Sequence, residues 1–114
     1  MLTYAVISFA IAAVAGLVLA SHVLRGQLAP WPLSILHAVF AAIGLILIGF
    51  SVLEGVRDDI AIAMIILLIA ALGGFYLASV HLRKEVAPSR VVFMHAGAAV
   101  VGFLLLCNAV AQVV

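Results

Sequence analysis

His22, His37, His81 and His95 are the side chains of this 114-residue sequence best suited to bind a metal or move a proton inside apolar surroundings. Neutral imidazole is a common ligand for haem iron, zinc and copper, so four of them in a nearly uncharged chain raise the question of a cofactor. His37 and His95 stand 58 positions apart, and so does much of what surrounds them. Leu19 to Leu47 lies without a gap on Leu77 to Leu105 when the chain is shifted by that amount. Chemistry in such a chain is expected to be built from duplicated parts, here repeat 1 over residues 1–56 and repeat 2 over 59–114.

The elements that position these residues follow from composition. With 69% apolar and 8% charged residues, and a mean hydropathy of +1.50, the chain cannot cover itself with a water-compatible surface. Four stretches are long enough to span a bilayer, approximately 2–24, 31–53, 60–82 and 91–114. The charged residues fall outside them: Arg25 in the first link, Glu54, Arg57, Asp58 and Asp59 in the second, Arg83, Lys84, Glu85 and Arg90 in the third. The expected fold is an all-α integral membrane four-helix up-down bundle, made of two parallel two-helix repeats about an axis along the membrane normal. Pro30 and Pro32 open the second helix and Pro88 precedes the fourth, with Ser89 as a candidate cap. The first apolar run lacks a positive n-region and is the repeat partner of the third, so it reads as a retained helix.

Depth and phase then group the histidines. His37 lies five residues past Pro32 and His95 five past Arg90, about 7–8 Å below each helix start. His22 and His81 sit within three residues of Arg25 and Arg83, so all four imidazoles gather toward one membrane face. Gly44 follows His37 by seven residues, Gly102 follows His95 by seven, and Gly74 precedes His81 by seven, placing each glycine on its histidine's stripe. Such glycines let helices pack closely or leave room for a flat macrocycle; sequence does not choose between them. His22 aligns with Val80 and His81 with Val23, so that pair misses the repeat by one residue. His37 and His95 are therefore the first choice as axial iron ligands, and His22 and His81 the second.

On His22, His37, His81, His95 and their glycines, the chain resembles the small four-helix membrane b-type cytochromes, in which haem lies between histidines of facing helices. The likeness is one of architecture; it spans the whole chain and carries no diagnostic motif. It implies haem b, one or two, in electron transport, with Arg25, Arg83, Lys84 and Arg90 near enough to pair with propionates. The implied partners are lipid, a quinone or a redox partner protein, and a larger complex or oligomer. Two-haem members commonly place histidines near both membrane faces, whereas this chain has them near one. One-sided electron exchange is therefore expected, not transfer straight across the membrane.

Other classes fare worse. No run of basic residues could neutralise several phosphates, which sets nucleic acid aside. No carboxylate lies inside a span to couple protons, and no nucleophile–base grouping marks an enzyme. Zinc, copper or a chlorophyll remain alternative ligands for the imidazoles, and the alternative function is a structural or assembly subunit without a cofactor. Cys107 has no second thiol, and Trp31 fits an interfacial anchor. The links carrying more lysine and arginine are expected to face the cytoplasm of a bacterial inner membrane, with the termini outside.

Overall fold

The computed structural model describes residues 1–55 and 57–113. It contains four α-helices, α1 (Leu2–Leu24), α2 (Trp31–Leu53), α3 (Asp58–Leu82) and α4 (Ser89–Ala111), joined by links of six, four and six residues. Helices of 23 to 25 residues rise about 35–38 Å, more than a hydrocarbon core of about 30 Å requires. All four are long and apolar enough to cross a membrane, as an integral membrane protein needs.

The helix bounds differ from the sequence expectation at α3 and α4, which begin at Asp58 and Ser89 and so take in Asp58, Asp59 and Arg90. Carboxylates in a first turn oppose the positive end of the helix dipole, which extends α3 into the charged link. Asp59 Oδ1 also accepts the Ile60 N–H at 3.0 Å. α4 stops at Ala111, with Gln112 as its C-cap. Ser89 is not a cap: Pro88 holds the N-cap position in extended backbone, and Ser89 already lies inside the helix. Pro30 does the same for α2, at the repeat-equivalent place.

α1 packs most extensively on α2 and α3 on α4, while α1–α4 and α2–α3 contacts join the two hairpins more thinly. Packing is uneven along the bundle. Ile48, Ile60 and Leu106 are fully buried and cluster with the buried Ala5, Phe9, Ala63, Leu67, Ala109 and Val110, from the first halves of α1 and α3 and the second halves of α2 and α4. Toward the histidines the buried residues of α1 and α3 are mostly smaller, Ala12, Ala15 and Ala70 among them. Large side chains such as Leu17, Leu72, Phe75 and Leu104 point outward, where a bilayer would cover them.

Two helix ends share one geometry. Gly26 (φ +71°) and Lys84 (φ +59°), 58 positions apart, both adopt the left-handed conformation just after α1 and α3. Gly26 N–H bonds the Val23 carbonyl and Gln27 N–H that of His22, matching Lys84 to His81 and Glu85 to Val80. These are paired Schellman closures, which satisfy carbonyls that a helix end would otherwise leave open. Glycine takes this conformation freely, whereas lysine does so with strain.

Candidate functional site

α2 and α4 bring His37 and His95 together across the bundle. Their ring centres are 6.0 Å apart and their planes meet at 75°. Each imidazole is half-buried and tied to the other helix of its own hairpin in the same way. His37 Nδ1–H donates to the Ala12 carbonyl at 2.7 Å, and His95 Nδ1–H donates to the Ala70 carbonyl at 2.7 Å. Both bonds span 25 residues, and both acceptors are 58 positions apart, so the sequence duplication recurs as a duplicated contact.

The direction of these bonds decides what the imidazoles can do. A carbonyl oxygen only accepts, so each ring must carry its proton on Nδ1. In the neutral ring this leaves the Nε2 lone pair as the basic site. Metal-ligating histidines usually have one ring nitrogen bonded in this manner, which fixes the tautomer and ring orientation.

Glycines make the approach possible. A Cβ placed on Gly16 would stand 2.9 Å from His37 Cε1 and 3.1 Å from its Nδ1. One on Gly74 would stand 3.1 Å from His95 Cε1. Gly74 thus serves His95 across the hairpin, although sequence phase had associated it with His81. Gly16, its repeat equivalent, was missed altogether, and shifting Gly74 back by 58 positions is the signal that finds it. Gly44 and Gly102 have another role: a Cβ on Gly44 would lie 2.5 Å from the Phe9 ring, and one on Gly102 2.8 Å from Leu67 Cγ. At both positions the missing side chain lets the facing helix approach closely.

The second pair of histidines is handled differently. His22 Nδ1–H donates to the Val18 carbonyl of its own helix at 2.8 Å. His81 stacks on Trp31, ring centres 4.2 Å apart and planes at 9°, with its Nδ1 3.3 Å from Ser34 Oγ. Trp31 therefore has an aromatic partner in addition to its place at the start of α2. Among the described residues no ring contact joins His22 to His81. Their one-residue offset in the repeat accounts for this, since one position turns a helical side chain by about 100°.

Two of the basic residues bond locally. Arg25 Nε donates to the Ser21 carbonyl at 3.0 Å, and Arg83 Nε lies 3.5 Å from Glu85 Oε1 in exposed surroundings. No group of three or more metal-ligating side chains occurs among the described residues. Two imidazoles fall short of the three or four protein ligands that zinc sites use, whereas the iron of a haem takes only its axial ligands from the protein. Comparison with protein-family models, curated proteins and solved structures found no match for this chain.

Proposed function

We propose that the protein is a membrane-embedded b-type haem protein acting in electron transfer, with His37 and His95 as axial ligands. The observation that carries this reading is the paired bonding of the two Nδ1–H groups to Ala12 and Ala70, which leaves two bare Nε2 atoms on neighbouring imidazoles. Ring centres 6.0 Å apart put the two imidazoles within reach of one shared group. The thin contact between hairpins and the small residues at this level favour a site that opens by separating the hairpins. One haem fits this reading; His22 and His81 hold other partners and are not assigned a second.

Haem supplies reversible one-electron exchange when bound. The chain's part is to orient both imidazoles through the alanine carbonyls and keep them within an apolar bundle. The antiparallel sense of each hairpin is supported by its contacts: His37 meets Gly16 while Gly44 meets Phe9, so advancing along α2 recedes along α1. An up-down bundle of two parallel repeats then sets the two imidazoles at one depth about a membrane-normal axis. The basic residues of the links on that side support a cytoplasmic placement of this end in a bacterial inner membrane, with a quinone or a redox protein as electron partner.

Titrating haemin into detergent-solubilised, haem-free protein tests the assignment. A sharp 1:1 endpoint in the Soret region is expected for the unaltered chain and for the His22→Ala, His81→Ala variant. No endpoint in the unaltered chain would sink the proposal.

A further inference from the structure

We infer that Gly16 and Gly74 are positioning residues that set the orientation of the His37 and His95 imidazoles, and that they hold the two ring planes steeply inclined to one another. The role follows from helix geometry. Side chains on an α-helix lean toward its N-terminus, so the Cβ of residue i+4 leans back over the carbonyl of residue i. Gly16 is four residues past Ala12, and Gly74 is four past Ala70. The missing side chain uncovers the very carbonyl that accepts the imidazole proton.

Each of these carbonyls also accepts the N–H four residues on in a regular helix, and its second lone pair serves the histidine. The imidazole lies flat enough against the glycine that a methyl there would meet Cε1 at 2.9 Å for His37 and at 3.1 Å for His95. Relieving either contact displaces the imidazole, by a few tenths of an ångström or more, from the place where Nδ1 meets its acceptor. Gly49 and Gly97 differ, since an added Cβ would meet nothing within 4 Å. The two cradles are alike in kind, Ala-x-x-x-Gly on α1 and on α3, and together they produce the 75° between ring planes.

The orientation claim stands on the haem-free chain, and only its spectroscopic extension to the bound cofactor rests on the proposed haem ligation. The first test uses histidine-labelled, haem-free protein in detergent micelles. The His37 Nδ1–H proton resonance is expected to be sharp and protected from solvent in the unaltered chain and in Gly97→Ala, and lost or strongly shifted in Gly16→Ala. Gly74→Ala is expected to do the same to His95 alone. A resonance that stays in place in either cradle variant would overturn the inference. Should an alanine variant fail to fold, the unaltered protein still decides: a cross-peak from each Nδ1–H to the Gly16 or Gly74 α-protons is required, and its absence counts against the inference. In haem-loaded protein, steeply inclined axial imidazoles give a highly anisotropic low-spin EPR signal dominated by one low-field feature. A three-line rhombic signal, as from parallel rings, would contradict the held angle. A protein that keeps the glycine-dependent Nδ1–H resonances yet takes up no haem would refute the haem reading and leave the positioning role intact.

Discussion

His37 and His95 meet in a T-shaped arrangement with ring centres 6.0 Å apart and planes at 75°, each anchored through Nδ1 to a carbonyl 25 residues earlier in the chain. The duplication is thus visible as chemistry as well as sequence: two helices supply the imidazoles and the other two supply the acceptors. A consequence independent of any cofactor is the tautomer. Nitrogen-15 spectra of the haem-free protein should show His37 and His95, when neutral, protonated at Nδ1 with bare Nε2. Nε2-protonated rings would mean that the carbonyl bonds do not form.

Gly44 and Gly102 are expected to be stability positions. Gly44→Ala drives a methyl into the Phe9 ring and Gly102→Ala one into Leu67, overpacking of a kind that costs about 1–3 kcal/mol. Thermal unfolding in detergent should shift downward for both. Gly49→Ala and Gly97→Ala meet open space and should be neutral, or gain up to about 1 kcal/mol from helix propensity.

Lys84 adopts the backbone conformation that Gly26 adopts at the equivalent closure. Lys84→Gly should therefore raise the unfolding temperature, with a gain of up to about 1 kcal/mol, and Gly26→Ala should lower it by a similar amount. Opposite signs at these two sites are the expected signature of a shared left-handed closure.

Arg57 forks onto Asp59, with Nη2–Oδ2 at 2.8 Å, and also donates to Gln112 Oε1 at 2.8 Å, so it ties the start of α3 to the end of α4. Both ionic partners are well exposed to solvent, which screens them. Arg57→Ala should lower stability by less than about 1 kcal/mol in a melt at moderate salt, and less still at high salt.

Much of the helical framework was legible in the sequence because apolar runs of about 20 residues, separated by every fixed charge, leave little choice of element. The proximity of His37 and His95 was legible for a related reason: a duplicated residue at matching positions of two helices meets its copy across the bundle. The acceptors were not. Ala12 and Ala70 act through backbone oxygens, which no residue type announces, and Gly16 and Gly74 act by lacking a side chain. Gly44 and Gly102, seven residues from a histidine on their own helix, meet Phe9 and Leu67 of the facing helix, while Gly74 meets His95 and not the His81 of its own stripe, because an imidazole leaning from α2 or α4 touches α1 or α3. His81 was ambiguous for another reason. Its stacking on Trp31 joins residues 50 positions apart, which neither the repeat nor helical phase relates.

The absorption spectrum of the protein purified from haem-sufficient cells tests the central claim most directly. A Soret band with sharp α and β bands on reduction is expected, lost in the His37→Ala, His95→Ala variant and kept in the His22→Ala, His81→Ala variant. A colourless protein, or bands that survive the first variant and vanish in the second, would contradict the assignment of His37 and His95 as haem ligands.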